Sequence, residues 1–133
     1  MSVLLDTHVV LWWQAGGERL SRRAVSAIET ADTILVSPLT AWEIATLHRR
    51  GRLELDRDPM TWVRDLVRGD RMAGAPLTAE DAAWAGGLDD SFPGDPIDRL
   101  LYATARDLRV SLISKDERLR GYATAAGDVR VIW

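Results

Sequence analysis

The chain has 133 residues, of which 17 are lysine or arginine and 20 aspartate or glutamate, giving a formal net charge of -3. That length is most simply one domain with a real core, and that charge gives no support to nucleic-acid binding driven by bulk electrostatics. Cysteine is absent, which excludes disulfides, iron–sulfur clusters and thiolate zinc sites.

The first residues lack the basic leader and small-residue cleavage site of a signal peptide. Their apolar run is broken by Asp6, far short of a membrane span, so a cytoplasmic protein is expected. Residues 3–5 read as a buried parallel strand that stops at Asp6. Residues 7–14 read as a helix ended by Gly16-Gly17. Ser21 caps a second helix to about Thr30, with Ala24, Val25 and Ile28 inward. Residues 33–37 form a second strand, and Pro38 starts a helix over 39–50 that Gly51 closes. A helix over 59–68, a weak third strand over 73–77 and a helix begun by Thr78 follow. The longest loop, 86–94, is rich in Gly, Asp and Pro. Asp95 then caps a helix whose first position is Pro96. Its Ile97, Leu100, Leu101, Thr104 and Leu108 recur at helical spacing. A strand over 110–114, a helical turn over 116–120 and a strand over 129–132 complete the chain. Strands alternating with helices imply a parallel sheet covered on both faces, an α/β architecture.

Such a sheet gives several acids a common address. Asp6 follows one strand and Asp116 comes two residues after another, and ligands of open α/β sheets bind at the carboxyl ends of the strands. Either residue could also simply cap the helix that follows it. Asp95 and Asp98 share the first turn of one helix, as a capping pair or as something more. Glu43 lies mid-helix between Leu39 and Leu47. A carboxylate on a partly apolar stripe needs a partner, either an arginine or a metal ion. Clustered carboxylates need protons or cations at neutral pH. With no cysteine and two histidines, oxygen ligands suit hard ions such as Mg²⁺ or Mn²⁺. Such a site suits phosphodiester chemistry, the metal polarising phosphate and activating water.

Leu4-Leu5-Asp6-Thr7-His8, Ser37-Pro38 followed by Trp42-Glu43-Ile44, Asp95-Pro96-x-Asp98-Arg99-Leu100-Leu101 and Leu112-Ile113-Ser114-Lys115-Asp116 occur in that order. In this the chain resembles PIN-domain nucleases, and more narrowly the VapC-like toxins of bacterial type II toxin–antitoxin systems. The resemblance spans essentially the whole chain. It implies a three-layer α/β/α sandwich with a mainly parallel sheet and Mg²⁺- or Mn²⁺-dependent cleavage of RNA. It also implies a homodimer and a cognate antitoxin that blocks the site. Carried over residue by residue, the family's acids fall on Asp6, Glu43, Asp98 and Asp116, as metal ligands with water as nucleophile. Thr7 and Ser114 fall on the supporting hydroxyl positions, and Asp95 matches the extra acid of one subgroup. The segment after Asp116 is Glu117-Arg118-Leu119, where many relatives carry an acid followed by phenylalanine.

Among other residues, His8 and Arg99 are candidate substrate contacts, whereas His48, Arg49, Arg50 and Arg52 read as a solvated helix end. Six tryptophans are present. Trp12, Trp13 and Trp42 suit either the core or an interface, and consecutive Trp12 and Trp13 cannot point the same way. Two rival functions fit parts of the pattern. A phosphoryl-transfer or receiver-type domain also gathers acids and a lysine such as Lys115 at a sheet edge, but Asp6 has no acidic neighbour in its segment. A PIN-like binding module with a dead site would have no reason to keep four mutually repelling carboxylates.

Overall fold

The computed structural model describes residues 1–133. In chain order the elements are β1 (Ser2–Leu5), α1 (Thr7–Gln14), α2 (Arg22–Thr30), β2 (Thr33–Val36), α3 (Pro38–Arg49) and α4 (Pro59–Val67). These are followed by β3 (Met72–Gly74), α5 (Ala79–Gly86), α6 (Pro96–Leu108), β4 (Ser111–Ile113), α7 (Glu117–Ala126) and β5 (Val131–Ile132). The strands form one sheet in the order β3-β2-β1-β4-β5, and every neighbouring pair is parallel. β1 is central, with Leu4 opposite Leu35 of β2 and Leu112 of β4.

Alternation along the strands divides the core into two layers. Val3, Leu5, Ile34, Val36, Ile113 and Ile132 face one cluster, which Val9, Ile28, Ile44 and Leu66 of α1 to α4 complete. Leu4, Leu112 and Val131 face the other, with Leu101, Tyr102, Leu119 and Ala123 of α6 and α7. The result is the expected α/β/α sandwich, and no helix is long and apolar enough to cross a membrane.

Helix starts follow their sequence signals. Asp6, Ser21, Ser37, Asp58, Thr78, Asp95 and Asp116 each accept a backbone N–H as N-cap. The differences lie where local pattern is weak. On α2, Ala27 joins Ala24 and Ile28 inside while Val25 is only half-buried. The third strand begins and ends earlier than 73–77, because pairing with Ile34, Leu35 and Val36 fixes it at 72–74. The turn expected at 116–120 continues to Ala126, through Gly121. A mid-helix glycine costs about 1 kcal/mol. Burial of Leu119 and Ala123 one turn apart and edge-on packing of Tyr122 against Phe92 and Tyr102 outweigh it.

Candidate active site

The acids meet at the carboxyl edge of the sheet. β1 delivers Asp6, whose N–H continues the ladder by donating to Ile113 O at 3.0 Å. β4 delivers Ser114 and Asp116, and Ser114 N–H donates to Ile132 O at 3.1 Å. β2 ends at Val36, and Ser37 after it caps the helix that carries Glu43. The start of α6 brings Asp95 and Asp98. Asp6, His8, Trp12, Glu43, Asp95, Asp98, Lys115 and Asp116 line a single cleft of about 470 Å³. All four expected acids are therefore in one place, with Asp95 beside them.

Buried hydroxyls fix the orientation of these carboxylates. Ser114 Oγ donates to Asp6 Oδ2 at 2.9 Å, and the Thr7 N–H donates to Asp6 Oδ1 at 2.6 Å. Thr7 Oγ1 donates to Glu43 Oε1 at 2.5 Å and also contacts Thr40 Oγ1 at 3.1 Å. Thr7, Thr40 and Ser114 are almost wholly buried, so their hydroxyls hold fixed positions. Asp95 and Asp98 form a reciprocal capping box. Asp98 N–H donates to Asp95 Oδ1 at 2.9 Å, and Asp95 N–H donates to Asp98 Oδ2 at 3.2 Å. Asp116 Oδ1 accepts from Arg118 N–H at 3.0 Å and Leu119 N–H at 3.2 Å. It is thus a helix cap and a wall of the cleft together. Asp6 and Asp95 likewise cap their helices and line the cleft.

Burial and mutual repulsion raise three of the acids, Asp6, Glu43 and Asp98. Burial pushes the Asp6 carboxyl up, against the Ser114 and Thr7 hydrogen bonds that hold it down. Burial raises Glu43 likewise, opposed by the Thr7 hydroxyl, with Asp6 and Asp95 adding repulsion. Asp98 is pushed up to about 7 by burial, then by the charges of Asp95 and Asp6. Lys115 is the sole lysine or arginine lining the cleft. The site is short of positive charge.

Whether a divalent ion fits is a question of donors and spacing. The walls offer carboxylate oxygens, the chemistry for Mg²⁺ or Mn²⁺. No three His, Asp or Glu side chains converge tightly enough to hold an ion by themselves. That fits an ion that keeps several waters and takes one or two carboxylates plus a phosphate oxygen, as Mg²⁺ does. Asp6, Glu43 and Asp98 are the acids whose raised values such an ion would reverse.

Arg99, a candidate substrate contact in the sequence, is corrected by its surroundings. Its guanidinium donates to Leu88 O at 2.6 Å, Asp89 O at 2.9 Å and Ala85 O at 3.3 Å, and lies over the Phe92 ring. It stitches the loop after α5 to α6 and is absent from the cleft. Two residues that matter to the site escaped sequence reasoning. Thr40 braces Thr7 from one turn before Glu43. Gly94 approaches Asp98 so closely that a Cβ would stand 2.5 Å from Asp98 Cβ and 2.9 Å from Asp98 Oδ2. The Gly-Asp-Pro run was the available signal for the second.

A family model for the PIN domain matches residues 3–125. The chain belongs to the PIN-domain family. This PIN domain is 43% identical over 121 residues to Ribonuclease VapC22 of Mycobacterium tuberculosis (strain ATCC 25618 / H37Rv), covering 91% of this chain and 92% of the relative. It superposes on VapBC-1 from nontypeable Haemophilus influenzae with a TM-score of 0.68 at 14% identity, over 98% of this chain and 96% of that one. With Mycobacterium tuberculosis VapC20, a sarcin-ricin loop cleaving toxin, the TM-score is 0.63 at 18% identity, over 97% and 98% of the two chains. The two structural likenesses establish the sandwich; the sequence match carries the kinship. Membership in the PIN-domain family sets aside the receiver-type alternative.

Proposed function

We propose that this PIN domain is a Mg²⁺- or Mn²⁺-dependent endoribonuclease and the toxin of a type II toxin–antitoxin pair. The observation that carries the proposal is the gathering of Asp6, Glu43, Asp98 and Asp116, from four separate stretches of chain, around one cleft. The 43% identical relative is named a ribonuclease, and the sequence resembles VapC-like toxins throughout. In this reading the ion would sit among Asp6, Glu43 and Asp98, bound directly by one or two of them and through its waters by the rest; Asp116 stands as fourth acid, and Asp95 positions Asp98. The ion supplies polarisation of the scissile phosphate and acidification of water for in-line attack. Ser114, Thr7 and Thr40 keep the acids in place without rearrangement, so orientation is settled before substrate arrives. Without a cation the acidic walls repel phosphate, so the chain's own charge makes RNA entry conditional on metal. His8, exposed at the rim, is a candidate contact to RNA. A cognate antitoxin covering the cleft, a homodimer and work in the cytoplasm on cellular RNA belong to the same proposal.

The test is a ribonuclease assay with Mg²⁺, with Mn²⁺ and with EDTA, beside an Asp98→Asn variant purified identically. Cleavage that needs metal and falls at least about a hundredfold in the variant supports the proposal. Cleavage equal in both proteins, or in neither, overturns it and favours a PIN-like module that only binds. Sedimentation of the purified chain checks the dimer.

A further inference from the structure

Trp12 and Trp13 are neighbours on α1, and the fold assigns them to different places. Trp13 packs against the first core cluster, whereas Trp12 joins neither core and lines the acidic cleft. The Trp12 indole is half-buried among carboxylates, surroundings with the chemistry of a ligand contact. The His8 ring lies 5.7 Å away, tilted by 52°, and the Trp133 ring 6.0 Å away, tilted by 59°. Neither lies parallel against the indole. Lys115 Nζ and the Arg19 guanidinium instead stand 5.6 Å and 5.8 Å from its centroid. Lys115 is the chain's only lysine; it is exposed and sits between Ser114 and Asp116.

An aromatic face beside a flexible ammonium suits an unpaired nucleotide: the base stacks on the ring and the phosphate meets the cation. The acids of the cleft repel every phosphate that is not shielded by an ion. A strand leaving the scissile position is therefore drawn along the edge where Lys115 stands. We propose that Trp12 and Lys115 form a nucleotide subsite beside the acidic cleft. Trp12 stacks an unpaired base of the RNA, and Lys115, swinging off the indole, pairs with the adjoining phosphate. The identity of the ligand as single-stranded RNA rests on the ribonuclease reading above. Stacking accepts every base, so the subsite selects unpaired RNA more than it selects sequence.

The test is fluorescence anisotropy with a short, labelled, unstructured oligoribonucleotide in Mg²⁺, on the full chain carrying Asp98→Asn to prevent cleavage. Trp12→Ala weakens binding roughly tenfold and Trp12→Phe restores most of it. Moving one abasic nucleotide along the oligonucleotide finds a position that costs a similar factor in the parent and nothing further in Trp12→Ala. A merely structural role for Trp12 would not produce that loss of additivity. Lys115→Gln flattens the dependence of log affinity on log salt by about 0.7, the value for one phosphate contact to a single strand, and Lys115→Arg does not. The subsite is overturned if no abasic position couples to Trp12, or if neither the parent in Mg²⁺ nor the chain with Asp98 intact in Ca²⁺ binds the oligonucleotide. Cleavage assays on the chain without Asp98→Asn keep the two readings apart. Metal-dependent cleavage without coupling at Trp12 removes the subsite alone; coupling without any cleavage removes the ribonuclease alone.

Discussion

The Thr7 hydroxyl donates to Glu43 Oε1 at 2.5 Å, joining the first residue of α1 to a carboxylate in the middle of α3. Glu43 has no arginine partner, so this bond is what aims it into the cleft. Thr7→Val keeps the shape and removes the donor. Activity of this variant should fall about 10- to 100-fold, the usual cost of losing an outer partner of a metal ligand, the role proposed for Glu43. Thr7→Ser should retain most of it. Stability should drop by about 1–3 kcal/mol, because Thr40 Oγ1 also loses a buried partner. Steady-state kinetics and thermal melts of the three proteins check this; a Thr7→Val enzyme with unaltered kcat would refute the anchoring role.

Gly94→Ala should damage activity more than folding. The added methyl would stand 2.5 Å from Asp98 Cβ and 2.9 Å from Phe92 Cε1, so either the loop or Asp98 must shift. Loops accommodate such shifts for about 1–3 kcal/mol, whereas a displacement of about 1 Å at the site costs about a hundredfold. Assay of cleavage beside circular dichroism melts separates the two effects. Equal losses of both, or neither, would show that Asp98 tolerates the change.

Most of the site is legible because its residues sit at punctuation marks. Asp6, Asp95 and Asp116 stand where a strand ends or a helix begins, and such places are marked by local pattern. Asp98 follows from helical spacing after Pro96. Glu43 stands out as an acid in a partly apolar stripe, but its partner Thr7, 36 positions earlier, leaves no local trace. The extension of α7 past Gly121 is likewise decided by contacts of Tyr122 with α6 and the loop before it, against local propensity. The resolution of Trp12 and Trp13 into cleft and core needed the sheet to be built. Trp42, 61% exposed, is left outside both.

Arg99 is the clearest case of a residue whose chemistry suggests one role and whose neighbours impose another. Its three carbonyl contacts at Ala85, Leu88 and Asp89 end α5 and fold the following loop onto α6, with the cation placed at a helix C-terminus. Arg99→Gln should lower stability by about 1–3 kcal/mol, or roughly 3–8 °C in melting temperature. Affinity of the folded fraction for RNA should stay within about twofold of the parent. A variant with an unchanged melt and weakened RNA binding would reinstate Arg99 as a substrate contact.

Charge crowding in the cleft makes the metal-free chain sensitive to pH. Asp98 is pushed up to about 7, against about 3.9 in an unfolded chain, and Asp6 and Glu43 are raised as well. Between those limits the folded state holds more protons than the unfolded state. The contribution of these acids to stability therefore falls as pH rises from about 4 through 7. In EDTA the protein should melt lower at pH 8 than at pH 5.5. Asp98→Asn, which removes the repelled charge, should raise the pH 8 melt by roughly 2–5 °C and flatten the profile. Added Mg²⁺ or Mn²⁺ should stabilise the unsubstituted chain at pH 8 in proportion to the logarithm of its concentration, and Asp98→Asn less. Scanning calorimetry at the two pH values, with and without metal, reads each of these outcomes. A flat profile in EDTA, with no response to metal, would mean that the acids neither repel one another nor bind an ion.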